Sequence, residues 1–303
     1  MQTFMKVMVG LLFLFSLILA GGDSRGSGES PMPLNKVPGS VESKARKLTN
    51  YLNKQGFEVE RGYFKLYTNE DCPTSYEEMG TCWGNNPAAP YVQFAIPPWP
   101  EEYIDPATDT AYGLNLDGYH NSYRLDPREA IVILGVLPPP AHYFGLQTYL
   151  FTRQGDFDTG SEPYKYMEDK PLLLDRFFNK VPQNQDRVIN FASLSNSINH
   201  VLIERQSGEA FNQQKYFIIT PDQVMDKTIR YALDTISVAE EDIFTEQIPS
   251  DMKLGLDESA DDFISVIRYA MPDDGGGDDA GSSKWRKELP LVVLRVRDTR
   301  PDR

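Results

Sequence analysis

Apolar and polar positions change period several times along this chain, and each change predicts an element. Val41, Ala45, Leu48 and Leu52 recur at helical spacing, and Gly56 suits the end of that helix. "FEVERGYFKLY" (57–67) then alternates as a strand does, and "YVQFAI" (91–96) forms another short strand. "AIVILGVL" (130–137) is almost wholly apolar, which predicts a central strand covered on both faces. After Pro138–Pro140 the stretch "HYFGLQTYLFT" (142–152) predicts a second long strand. "RVINFAS" (187–193) and "HVLIERQ" (200–206) are weaker strand candidates, and "LLLDRFF" (172–178) suits helix or strand equally.

From residue 215 strands and helices alternate. "KYFIIT" is a strand, and "TPDQ" opens a helix with Thr220 as cap and Pro221 at its first position. Met225, Ile229, Leu233 and Ile236 form its apolar stripe. "DIFTEQI" (242–248) and "LPLVVLRV" (289–296) are strands. Between them a second helix is expected, capped by Ser259 with Asp262 three residues on, burying Phe263, Ile267 and Ala270. The fold class is therefore α+β, with a β-rich, mostly antiparallel part at 41–205 and an α/β layered part at 206–303. The two parts are either two domains or two layers of one core, and a boundary near 207 rests only on the turn-like "SGEAFNQQ". Residues 97–122 show no period and are rich in Pro, Asp, Gly and Asn. A stretch that long without elements is expected to carry function or to move.

The N-terminus changes the picture of where the chain works. Lys6 precedes an uncharged run from Val7 to Ala20, and Ala20, Gly21 and Gly22 follow. That order predicts a cleaved secretory signal over 1–22 rather than an anchor, because a spanning helix wants about 20 apolar residues. Residues 23–40 are Gly, Ser and Pro rich and read as a flexible leader. The mature chain is then secreted, with no inserted segment. Export also bears on Cys72 and Cys82, the only two cysteines. Exported proteins form disulfides, there is no C-x-x-C pair, and the three histidines show no zinc-ligand spacing. A disulfide is expected, pinning the loop that presents Trp83, Asn85 and Asn86.

Composition narrows the partners. The 303 residues carry a net charge of −14, which repels phosphate backbones and excludes nucleic acid as a natural partner. Fourteen acidic residues lie between Asp234 and Asp279 against two basic ones, Lys253 and Arg268. Within that block "DDGGGDDAG" offers Asp273, Asp274, Asp278 and Asp279 as oxygen ligands for calcium, although the order is not that of an EF-hand loop. The alternative is a solvated acidic loop; no other cofactor is indicated.

Two further groups could carry chemistry. His120, near Asp117, and His142, beside Tyr143, could each act as a general base, or could be hydrogen-bonded structural histidines. Trp83, Tyr91, Trp99 and Tyr119 crowd a polar segment, where aromatic faces beside amides suit a small molecule, a glycan or a protein ligand. Core packing is the competing role for the same rings.

Three resemblances follow from the wording itself. "GGDSRG" with Ser24, "GNN" at 84–86 and "DGYH" at 117–120 resembles the block order of GDSL-type hydrolases. Pro87 stands where that pattern needs an acid, and Ser24 falls just past the export signal. "CWGNNPAAPY" followed by "YRLDPREAIVILGVLPPPAHYFGLQTYLFTR" resembles a group of predicted secreted proteins without an established activity, over about residues 72–153. "HYFGLQTYLF" is similar to strands of exported β-sandwich domains. The last two bring no catalytic residue. The leading expectation is a secreted binding protein with its site at 83–123 and Tyr143; the rival is a secreted hydrolase using His120 or His142.

Overall fold

The computed structural model describes residues 35–82, 86, 89–171, 174 and 178–301. The expected signal segment, Ser24, Trp83, Asn85 and most of 172–177 lie outside the described residues.

In chain order the elements are α1 (Gly39–Lys54), β1 (Phe57–Arg61), β2 (Tyr63–Tyr67), α2 (Cys72–Met79), β3 (Tyr91–Ala95), β4 (Glu129–Val136) and β5 (Ala141–Gln154). Then follow α3 (Glu162–Met167), β6 (Asn179–Val181), β7 (Asn184–Ser193), β8 (Ile198–Asn199), α4 (His200–Ser207), β9 (Gln214–Thr220) and α5 (Gln223–Thr235). The chain closes with β10 (Ile243–Gln247), β11 (Asp262–Pro272), α6 (Gly281–Glu288) and β12 (Leu291–Asp298). The class is α+β with β-rich character.

Two sheets form. The first has the order β1-β12-β4-β9-β10, and the second β2-β3-β11-β5-β7-β6 with β8 beside β5. Among the described strands every pairing is antiparallel except β9 with β10, which are parallel and joined through α5. The stretch 57–67 is not one strand but two, in different sheets. Gly62 is the joint: its N–H donates to the Val293 carbonyl, and a Cβ there would come within 2.3 Å of the Ala95 carbonyl oxygen. Only glycine fits so close a backbone approach.

The near-continuous apolar run of β4 explains the layering. Ala130, Val132 and Leu134 face α1 and α5, packing with Leu48, Leu52, Met225 and Ile229. Ile131 and Ile133 face the second sheet, where Phe64, Phe94, Phe144, Leu146 and Ile267 meet them. On the far side of the second sheet, α2 and the stretch 105–112 cover Tyr67, Tyr91, Phe151, Ile264 and Val266. Strands on both sides of residue 206 alternate within each sheet: β12 lies between β1 and β4, and β11 between β3 and β5. Pro33–Arg303 accordingly cluster as one compact unit.

Two further expected elements and one helix cap differ. Residues 262–272 are strand, not helix. Phe263 and Ile267 share a face in either conformation, because a spacing of four satisfies both periods; pairing with β3 and β5 on its two sides decides for strand. Residues 200–207 are helix, not strand, since Asn199 accepts the Leu202 N–H at 3.0 Å and Gly208 closes the far end at φ 84°. The cap of α5 is Asp222, whose Oδ1 accepts the Val224 N–H at 2.8 Å. Thr220 instead ends β9 and donates to the Glu129 carbonyl at 2.6 Å.

Candidate functional site

Strand parity sets which side chains reach the outer face of the second sheet. On β11 these are Ile264, Val266, Arg268 and Ala270, and their partners on β5 are Tyr149, Gln147, Gly145 and Tyr143. The 105–112 stretch and α2 bury one end of this face. At the other end Tyr143, Gln147, Tyr149, Phe191 and Arg268 stay half-buried, with Tyr91 at its floor.

The polar contacts of this open end are specific. Arg268 lies over the Tyr91 ring, 4.4 Å from its centroid, and its Nη1 donates to the Tyr91 hydroxyl at 2.5 Å. Gly145 stands opposite Arg268, and a Cβ on it would sit 2.5 Å from the Tyr143 hydroxyl, so the Tyr143 phenol lies across the glycine. Tyr143 donates to Ser197 Oγ at 3.3 Å. Tyr149 donates to Gln147 Oε1 at 3.2 Å, and Gln147 Nε2 donates to the Ser195 carbonyl at 2.6 Å. Tyr149 also stacks on Phe191, with 4.8 Å between centroids and 7° between planes. Phe191 holds this stack at φ 40°, a left-handed conformation that costs a bulky side chain about 1–3 kcal/mol. Burial pushes the Tyr149 phenol above its ordinary value, Tyr91 and Tyr143 add to this, and Arg268 opposes it.

A buried polar spine lies between the sheets behind this face. Glu246 accepts from the Thr148 N–H at 2.9 Å, Thr148 Oγ1 at 2.7 Å and Ser195 Oγ at 2.8 Å. Thr148 Oγ1 is 2.8 Å from Ser265 Oγ, which is 2.6 Å from the Tyr123 hydroxyl. Glu246 thus anchors the 193–197 rim from beneath. Burial raises its carboxyl above the usual range, against those three hydrogen bonds.

Of the residues singled out in the sequence, the structure brings Tyr91 and Tyr143 to this one face. Asn86 is exposed, and its carbonyl accepts the Ala89 N–H at 2.9 Å. Tyr119 packs edge-on against Tyr63, 5.3 Å away. Trp99 is a correction: it is 3 % exposed, donates to Glu129 Oε2 at 3.0 Å and lies under Arg295 and Arg297, so it belongs to the interior. His120 pairs through Nδ1 with Asp109, not with Asp117, which is exposed. His142 is exposed at the start of β5, and no residue is arranged around it as a catalytic partner among the described contacts. Cys72 and Cys82 form the expected disulfide, with 5.2 Å between their Cα atoms. The loop it closes is not irregular: it contains α2, begun by Pro73 and ended by Gly80 in the left-handed region.

Part of the acidic loop caps the helix that follows it. Asp274 accepts from the Ser282 N–H at 2.8 Å, Ser282 Oγ at 2.6 Å and the Gly276 N–H at 3.1 Å, so it caps α6, and those bonds hold its carboxyl below the usual range. Asp273, Asp278 and Asp279 are exposed. Among the described residues no group of three or more His, Cys, Asp or Glu is placed to hold a metal ion.

No protein-family model, curated protein or solved structure matches this chain. Its own geometry has to carry the functional reading. Sequence reasoning missed Arg268, Gln147, Tyr149, Phe191 and Asp109. The alternation of β5 could have yielded Tyr149 and Gln147 alongside Tyr143. Arg268 was hidden by assigning its strand as a helix.

A polar cavity of about 480 Å³ opens elsewhere, lined by Lys44, Gln214, Tyr216, Ser237 and Asp242. Its charged groups are already engaged: Lys44 donates to the Tyr216 hydroxyl at 2.8 Å, and Asp242 accepts from Lys215 at 2.6 Å. It lies where β9 and β10 begin, whereas crevices of α/β units open where parallel strands end.

Proposed function

We propose that this chain is a secreted binding protein whose ligand lies on the open end of the second sheet, against Tyr91, Tyr143, Tyr149 and Arg268. The carrying observation is the flat ledge of Tyr149 stacked on Phe191, kept at a backbone conformation that costs free energy. Strain of this kind persists where surrounding structure enforces it and collects at binding surfaces. Half-exposed rings beside an amide, hydroxyls and a guanidinium suit a saccharide ring, which offers an apolar face and a rim of hydroxyls together. Export is supported by the Val7–Ala20 run and by the disulfide. Among the described residues no helix is long and apolar enough to cross a membrane.

The test is an array of immobilised neutral and acidic oligosaccharides probed with the mature chain. Binding is expected, with Tyr149→Ala weakening it at least tenfold while the circular dichroism spectrum is kept. A chain that binds no saccharide on the array, or a Tyr149→Ala variant that binds undiminished, overturns the reading.

One observation favours the rival hydrolase: Asp109 holds His120 by Nδ1, which is how a general base is oriented. Chromogenic ester and glycoside substrates separate the two. The binding reading expects no turnover that disappears in His120→Ala or His142→Ala.

A further inference from the structure

We infer that the saccharide carries a carboxylate and that Arg268 receives it: the site takes an acidic, uronate-type sugar. This rests on the saccharide-binding reading and adds the charge of the ligand. The other arginines carried on the described strands each meet an acid, Arg61 through Glu42, and so does the buried Arg124. Arg124 and Arg187 meet Asp262, Arg153 meets Asp261, Arg295 meets Glu129 and Arg297 meets Glu58. Arg268 is equally embedded in secondary structure, in the middle of β11. It is one of two cations among fourteen acids between 234 and 279. Yet its guanidinium has no described carboxylate within ion-pair distance and is held only by the ring and hydroxyl of Tyr91.

Holding the Arg268 guanidinium half-buried without an anion costs free energy, because its charge is partly desolvated with no partner to offset that cost. Tyr91 takes Nη1 and one face of the plane. The remaining edge, with Nε and Nη2, is a fork that fits one carboxylate in bidentate fashion. Gly145 stands opposite Arg268, and the Tyr143 phenol laid across that glycine forms a floor for the sugar ring. The chemistry is that of a single carboxylate rather than a polyanion. One guanidinium neutralises one charge, and the net charge of −14 repels densely charged ligands.

The experiment uses calorimetry on the mature full chain. The probes are trimers of galacturonate, glucuronate and mannuronate, their methyl esters, a neutral maltotriose and a sulfated galactan oligosaccharide that carries no carboxylate. Esterification removes the charge and keeps the ring. At least one uronate trimer is expected to bind tenfold or more tightly than its ester. Arg268→Gln is expected to reduce that ratio below twofold, and Tyr143→Ala to weaken acid and ester alike. Arg268→Lys, which keeps the charge but not the fork, should retain only part of the preference. Equal binding of acid and ester refutes the carboxylate while leaving the saccharide reading in place. Preference for the sulfated probe over every uronate also refutes it. Absence of binding to every probe refutes both. A preference that survives in Arg268→Gln, with an unchanged melting temperature, assigns the charge to another residue and overturns the inference.

Discussion

Arg295 Nε meets Glu129 Oε1 at 2.5 Å in a part of the first sheet where neither side chain is exposed to solvent. Glu129 also accepts from the Trp99 indole, and Arg295 Nη1 reaches Glu102 at 2.6 Å. Burial raises the Glu129 carboxyl while the guanidinium opposes the rise. Removing one member therefore strands the others. Arg295→Met is expected to cost about 3–5 kcal/mol, the usual penalty for an uncompensated buried charge. The double variant Arg295→Met with Glu129→Gln should recover part of it. Urea unfolding of the two variants measures the difference, and equal losses would contradict the coupling.

Gly62 lets one chain stretch serve both sheets. The Cβ in Gly62→Ala would meet the Ala95 carbonyl oxygen at 2.3 Å and Val293 Cγ1 at 2.9 Å. Backbone must shift to admit it, so a loss of about 1–3 kcal/mol is expected, as for overpacking. Gly277→Ala, with open space around it, is the control and should change stability little. Thermal unfolding of the pair checks this.

The disulfide spans a sequence separation of 10 and closes around α2. A loop of that size stabilises by about 3 kcal/mol through the unfolded chain. Cys72→Ser with Cys82→Ser should lower the melting temperature and raise hydrogen exchange in 72–82 first, leaving β4 and β12 protected. Exchange lost uniformly would show that the bridge supports more than its own loop.

Glu246 gives the fold a pH dependence with a definite sign. Its folded carboxyl is raised by burial, so between its unfolded value and that raised value the folded state binds more protons than the unfolded one. Stability from this residue therefore falls as pH rises through that window. Compared with Glu246→Gln, the unaltered chain should lose stability as pH rises above the ordinary glutamate value of 4.5, read by urea midpoints at several pH values. Parallel midpoint curves would place the proton elsewhere.

Local pattern reached much of this molecule. The stripe Val41, Ala45, Leu48, Leu52 is buried on α1, and the apolar run of β4 is covered on both faces, because burial periodicity is written in consecutive residues. The cysteine pairing was legible for a similar reason: two thiols, close in sequence, in a chain expected to be exported. Tyr91 and Tyr143 were legible as candidate contacts by residue type, but nothing local said that they share a face.

What tertiary structure decided was long-range. Phe263 and Ile267 fit helix and strand equally until β5 pairs with both on one side, and Tyr123 and β3 meet them on the other. Trp99 looks like a ligand contact until Glu129 and Arg295 claim it. Arg268 and Tyr91 lie 177 residues apart, and their contact exists only because β11 inserts beside β3. Period and capping depend on neighbours within a turn or two; pairing, and with it the face that strands present together, depends on which distant segments close upon one another.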